Sequence, residues 1–239
     1  MRKLSLFLLP LFILTQCSDP EELHDDMPLR QLYEIGLKRF NNHSFEEAEK
    51  YFQAIEKQYP YTDYVKQAQL MSGLCAYMDN RYLEAIAHYK EFIALHPNDK
   101  SIPYALYMIG YCNYLRASYI ERDQSMAKDA YLYFREITTR FPNSKYQKDA
   151  ELKLQQMVDH ISAKELHVAR YYMREHLYHA ALERLNRVSK DSIHHPEAYY
   201  RMMESYRGLS LNHEAELIKK KLLKEYPDTP FAKKLSSSS

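Results

Sequence analysis

The sequence predicts an all-α fold: a helical repeat solenoid of five helix-turn-helix units, with one long helix joining the third unit to the fourth. Three observations carry that prediction. The chain has 239 residues and only four glycines. Average usage would supply roughly 17, and tight β-hairpins need left-handed residues in their turns, so a sheet protein with many hairpins is excluded. An alanine precedes a proline by twelve residues four times, in Ala48–Pro60, Ala85–Pro97, Ala130–Pro142 and Ala215–Pro227. Upstream of these anchors lies a second helix-period stretch with a small residue at a matching distance. Gly36 and Gly73 stand twelve residues before Ala48 and Ala85, and Ala169 stands twelve before Ala181.

The first segment reads as an address rather than as part of the fold. Arg2 and Lys3 precede an apolar run from Leu4 to Leu14, too short to span a bilayer comfortably. Leu14-Thr15-Gln16-Cys17 follows and resembles a bacterial lipobox, although Gln16 stands where such boxes carry Gly, Ala or Ser. The expectation is a signal peptide over 1–16 and acylation of Cys17; a plain signal peptide or an uncleaved anchor is the competing reading. Ser18, not Asp, follows the cysteine, which by resemblance to Gram-negative lipoproteins implies sorting to the outer membrane. Removing Arg2 and Lys3 takes the net charge from +1 to −1. Residues 17–28 are acidic, proline-bearing and poor in apolar groups, and read as a lipidated tether.

Three repeats are expected over 29–142. Each needs a small residue in its first helix so that the second can approach, an alanine in the second, an aromatic or aliphatic one turn on (Phe52, Tyr89, Phe134, Leu185), and a proline to end it. This matches the tetratricopeptide repeat (TPR), a helix pair of about 34 residues. Ser44 and Glu47 have capping-box spacing. Gly110 lies twenty residues before Ala130, which implies an eight-residue insertion around Arg116–Ser125. Residues 143–232 are expected to hold the linking helix and repeats four and five. Asn143 and Ser144 can cap that helix. No Gly or Pro interrupts Lys145–Glu175, and apolar or aromatic residues recur at Tyr146, Ala150, Leu154, Met157, Ile161, Val168 and Tyr172, with Glu165 as a polar interruption. One helix of about 45 Å is expected; two helices broken near His160–Ser162 are the alternative. The fourth repeat carries Ala181 with its proline displaced to Pro196, the fifth carries Ala215, and 233–239 reads as a disordered tail.

No constellation for catalysis stands out. Neither dinucleotide-binding nor P-loop glycine spacing occurs, since no two glycines lie within six residues. H-E-x-x-H and G-x-S-x-G are absent. Cys75 and Cys112 sit in apolar stretches and read as small buried hydrophobes, with a disulfide between them as the other option. His176 and His179 read as a solvated turn rather than a metal pair. The densest basic run, Lys219–Lys221, is interleaved with acids and reads as a solvated helix face, not a nucleic-acid footprint. No enzyme activity, cofactor, metal or nucleic acid is therefore expected. Repeats cannot bury their own apolar faces and stack on neighbours. Their first helices line the concave surface, which puts Tyr33, Leu37, Phe40, Leu70, Leu74, Tyr77, Tyr107, Tyr111 and Tyr114 at groove positions. Tyrosine buries area and keeps a polar tip, so each of these suits a peptide groove and equally suits inter-repeat core.

The lipobox followed by five TPR units resembles the BamD (ComL) family of outer-membrane lipoproteins of the β-barrel assembly machinery (BAM). The resemblance covers nearly all of the chain after Cys17. It rests on LYEIGLKRFNNHSFEEAEKYFQAIEKQYPYTDY in the first repeat, on LYMIGYCNYL, ERDQSMAKDAYLYFREITTRFPNSKYQKDA in the third, and on ARYYMREHLYHAALERLNRV in the fourth. It implies a non-enzymatic protein at the periplasmic side of the outer membrane. The implied partners are the POTRA region of the barrel protein BamA, other BAM lipoproteins, and C-terminal segments of unfolded outer-membrane proteins. It also implies a BamA-facing arginine in the fourth repeat, which falls on Arg184. A lipid-anchored TPR adaptor for other envelope proteins is the alternative.

Overall fold

A computed structural model describes residues 23–117 and 124–237. Among them are eleven α-helices and no strand. The helices are α1 (Leu29–Asn41), α2 (Phe45–Gln58), α3 (Tyr64–Met78), α4 (Tyr82–Leu95), α5 (Ile102–Arg116), α6 (Ser125–Arg140), α7 (Gln147–Arg174), α8 (Tyr178–Leu185), α9 (His195–Gly208), α10 (Asn212–Glu225) and α11 (Pro230–Ser236). Each packs mainly on its neighbours in the chain. The result is a TPR-type solenoid of pairs α1/α2, α3/α4, α5/α6, α7/α8 and α9/α10, with α11 laid against α9. Most of the predicted insertion between α5 and α6 lies outside the described residues.

The turns repeat one solution. His43, Asn80, His176 and Ser210 each take φ between 58° and 61°, and the second helix of the pair starts two residues later. At the other end, the C-cap residues Tyr59, His96, Phe141 and Tyr226 sit at φ between −130° and −135°. Each precedes a proline, whose ring keeps the residue before it out of the α region. Pro196 ends no helix; it opens α9, as Pro103 opens α5.

Capping differs from expectation. Ser44 is the N-cap of α2, yet its side chain accepts no backbone N–H. Its own N–H already donates to the Arg39 carbonyl (3.0 Å), so Glu47 has no reciprocal bond to make and lies 3.3 Å from the Arg39 guanidinium instead. Ser144 Oγ accepts from the Tyr146 N–H (3.2 Å), one residue before α7 begins.

The anchor residues sit where helices touch. Ala48, Ala85, Ala130, Ala169, Ala181 and Ala215 are all buried. A Cβ on Gly36 would meet the Phe52 ring at 3.0 Å, one on Gly73 the Tyr89 ring at 2.8 Å, and one on Gly110 the Phe134 ring at 3.0 Å. Gly208 is a fourth contact glycine: its Cβ would lie 2.4 Å from Tyr178 of the preceding pair.

The core falls into three clusters. Leu32, Ile35, Phe52 and Ile55 centre the first, which Met27 and Cys75 join. Tyr89, Phe92, Ile109, Phe134 and Ile137 centre the second, with Ala150 and Met157 of α7. Leu166 and Ala169 of α7 belong to the third, with Leu185, Met203 and Leu222. Cys75 and Cys112 are free and buried, and burial pushes both thiols up to about 12. They act as small apolar side chains, without the disulfide.

α7 is one helix of 28 residues, unbroken at His160–Ser162, or about 42 Å long. Its buried stripe is not the single one expected through Val168 and Tyr172. At 100° per residue, Ala150, Leu154, Met157 and Ile161 share one face. Ser162, Leu166 and Ala169 are buried on a face turned by about 120°, because the α8–α9 side approaches from another direction. Small Ser162 allows that approach and accepts from the Ser189 N–H (3.2 Å). Asp159 ties the α8–α9 turn to the same helix, accepting from Ser192 Oγ (2.8 Å) and the Ile193 N–H (3.0 Å).

Both ends are more ordered than their composition suggests. The expected tether over 17–28 is docked by its last residues: Met27 is buried and its carbonyl accepts from the Tyr59 hydroxyl (2.8 Å). Cys17 lies outside the described residues. The disordered tail expected over 233–239 is replaced through Ser236 by α11. Thr229 caps that helix, Pro230 opens it, and Ala232 and Leu235 are buried.

Candidate functional site

α1, α3 and α5 present the nine predicted groove positions, and all nine are half-buried. Tyr33, Leu37 and Phe40 pack over the first core; Leu70, Leu74, Tyr77, Tyr107 and Tyr114 pack over the second. The rings of α1 are not continuous with those of α3 and α5. Tyr33 contacts Phe52 (5.9 Å between centroids) and Tyr64 (5.7 Å), and Phe40 contacts Phe45 (5.3 Å). A continuous strip begins only at Tyr77, whose ring lies 6.0 Å from Tyr111. Tyr111 stacks on Tyr107 and Tyr114, each at 5.9 Å, and Tyr107 stacks on Tyr146 at 5.1 Å. Tyrosines four or three residues apart on one helix face meet because 3.6 residues complete a turn.

The start of α7 closes this strip with charge. The Tyr107 hydroxyl donates to Asp149 Oδ2 (2.5 Å), and Lys153 Nζ lies 3.0 Å from the same carboxylate. That ammonium also sits 5.1 Å above Tyr111 and 5.4 Å above Tyr114, within cation–π range. Burial, then the hydrogen bond to Asp149, raises the Tyr107 phenol above its ordinary value. Burial alone would raise the Asp149 carboxyl, but the bonds from Tyr107 and Lys153 outweigh it and leave it lowered. Asp149, Lys153 and Tyr146 were not predicted as site residues. Their i, i+4 pairing was visible in the sequence, but not that α7 crosses α5. The surface offers ring faces, hydroxyls that donate and accept, and one held cation. Such groups can stack on an aromatic ring, exchange hydrogen bonds and pair with a carboxylate. Among the described residues no three His, Cys, Asp or Glu side chains cluster to hold a metal ion, and no helix is long and apolar enough to cross a membrane. His176 lies in an exposed turn, bonded to the Tyr178 hydroxyl (3.0 Å), whereas His179, expected in the same turn, is an exposed residue in the first turn of α8.

Arg184 stands apart from this groove, in the last turn of α8. It is not unpartnered: its Nη1 lies 3.2 Å from Glu165 Oε2 on α7. The bond to Glu165 raises the guanidinium further above its ordinary value, and Tyr172 adds a second hydrogen bond. Glu165, the polar interruption of the expected stripe, is therefore the residue that positions Arg184.

A family profile described as "YfiO: Outer membrane lipoprotein" matches residues 25–220. The chain belongs to this YfiO/BamD family. It is 33% identical over 200 residues to the outer membrane protein assembly factor BamD of Caulobacter vibrioides, spanning 82% of this chain and 66% of that relative, so about a third of the relative's length has no counterpart in the match. It is 31% identical over 226 residues to the BamD of Rickettsia prowazekii, covering 92% of this chain and 89% of the relative. Among solved structures, the TPR2AB domain of yeast Sti1 in its pHSP90 complex aligns with 85% of this chain and 80% of that one, at 15% identity and a TM-score of 0.41. The glycine and alanine anchors of the repeats are buried in this chain, and a methyl on any of the glycines would meet an aromatic ring.

Proposed function

We propose that the chain is a non-enzymatic scaffold of the β-barrel assembly machinery, held at the periplasmic face of the outer membrane by acylated Cys17. In this reading the groove on α1, α3 and α5 receives C-terminal segments of unfolded outer-membrane proteins, and the α7–α8 surface around Arg184 docks the POTRA region of BamA, with other BAM lipoproteins joining. The observation that carries it is the half-buried tyrosine strip from Tyr77 to Tyr146, presented on the scaffold of a family whose relatives are named as outer membrane protein assembly factors. Ring faces there would take an aromatic side chain, and the Lys153 ammonium would favour a terminal carboxylate.

Replacing Tyr77 and Tyr107 by alanine should weaken binding of a C-terminal barrel peptide about tenfold or more, since aromatic truncations in binding surfaces commonly cost over 1 kcal/mol each. BamA co-purification should survive. Unchanged peptide affinity would sink the groove reading. Arg184→Glu places two acids against each other and should abolish BamA co-purification with the detergent-solubilised protein. Recovery of BamA at the wild-type level would refute that docking site and favour an adaptor for other envelope proteins.

A further inference from the structure

The α2–α3, α4–α5 and α6–α7 turns lie side by side along one edge of the array, where Lys66 faces Asp99 and Lys100 and Lys145 line one cleft, and the ordered chain enters at that same edge, where the Tyr59 hydroxyl donates to the Met27 carbonyl. There Gln58 donates to the His24 carbonyl (3.4 Å) and Lys57 lies 3.8 Å from Asp25. Leu23 is only six residues from Cys17, at most about 20 Å even when fully extended. A chain acylated at Cys17 therefore holds this edge close to the bilayer.

The chemistry of the edge fits that position. The α4–α5 and α6–α7 turns enclose an open cleft of about 490 Å³ lined by Lys100, Arg140 and Lys145, with Phe141, Tyr146 and Asn143 among its other walls and no carboxylate. Arg140 has its own partner in Glu136 and stacks on Phe141 at 5.2 Å. Lys145 lies 5.1 Å above Tyr146. On the first turn of the same edge, Tyr61 is 100% exposed, the kind of amphipathic ring enriched at membrane interfaces.

We infer that this edge is a membrane-facing surface, and that the cleft between Lys100, Arg140 and Lys145 takes the phosphate of an anionic phospholipid headgroup. Bonds from two ammoniums and a guanidinium match a phosphodiester, and the aromatic and proline walls suit its glycerol. Headgroup binding would turn the tethered protein into one with a fixed orientation. The inference rests on the proposed anchor at Cys17.

The test uses the acylated full-length chain in vesicles of phosphatidylcholine, with or without phosphatidylglycerol. A fluorophore is placed through Asn98→Cys beside the cleft; buried Cys75 and Cys112 leave that thiol as the reactive one. Headgroup-labelled lipid quenches it. Quenching should be at least about twofold stronger with phosphatidylglycerol and fall with salt. Lys100→Glu with Lys145→Glu should remove the difference, while Lys220→Glu with Lys221→Glu on α10 should not. Equal quenching on neutral vesicles overturns the headgroup assignment and leaves the cleft to an acidic protein segment. Equal loss in both double variants overturns its location. A chain that fails to float even with neutral vesicles overturns the anchor, and the proximity argument with it.

Discussion

At the scale of residues, the scarce glycines and the left-handed turns have been separated. Among the described residues, the four at positive φ are His43, Asn80, His176 and Ser210, none of them glycine. The glycines instead lie in helices, where a methyl would strike an aromatic ring of the neighbouring helix. Opposite outcomes follow. A non-glycine residue in the left-handed region costs roughly 1–2 kcal/mol, offset in part by the greater unfolded-state freedom of glycine, so Ser210→Gly should stabilise the protein by up to about 1 kcal/mol in urea titration. Gly73→Ala should destabilise it by about 1–3 kcal/mol, because fully buried Tyr89 cannot yield. Gly208→Ala should cost less, since the half-buried Tyr178 ring can swing away, losing its 3.0 Å bond to His176; thermal melts of the two variants give the comparison. The spacing of Gly36, Gly73 and Gly110 was legible in the sequence because each partner ring follows it in the next helix. Gly208 was not, since Tyr178 precedes it by thirty residues in another pair.

At the scale of elements, the helices were legible wherever one apolar face met one neighbour. α7 was legible in extent but not in packing. Its two buried faces meet different partners, and a single-stripe reading carries Val168 and Tyr172 in place of Leu166, while Ala169 was legible only through its repeat spacing to Ala181. The tyrosines that share a face of α5 were legible from their helical spacing, while the ion pair that closes the strip depends on how α5 and α7 cross. α11 was hidden by its lysine- and serine-rich composition, although Thr229, Pro230, Ala232 and Leu235 carry a complete start and a buried face. Thr229→Ala removes the 3.4 Å cap to the Ala232 N–H and should cost about 1 kcal/mol. Amide exchange at 232–236 should quicken before any change elsewhere. Uniform exchange through that stretch in both proteins would show that the cap does not hold the helix.

At the scale of the whole molecule, charged side chains stitch one pair to the next. Buried Glu49 of α2 accepts from Arg81 (2.5 Å) and faces His88 of α4 (2.8 Å); Glu197 of α9 pairs with Arg170 of α7 (2.6 Å) and Arg201 (2.7 Å). Burial alone would raise both carboxyls, but these bonds leave both below the ordinary range. With the folded value lowered, the unfolded chain binds more protons, so this stability is present above about pH 4.3 and is lost as pH falls towards the lowered values. Burial also lowers His160 and His195, which adds a loss that starts as pH falls below about 6.5. Melting temperature should therefore decline in two stages on acidification, and Glu49→Gln, less stable at neutral pH, should flatten the lower one. Beyond these links, the first three pairs and the last two are joined through α7, whose contact face turns by about 120° between the stripe that contains Met157 and the stripe that contains Leu166. The count of residues between those two positions is thus an angular dial. One added residue would rotate the α8 surface that carries Arg184 about 100° around the rod relative to the tyrosine strip, whereas seven would return it to within about 20° and only push it about 10 Å further along.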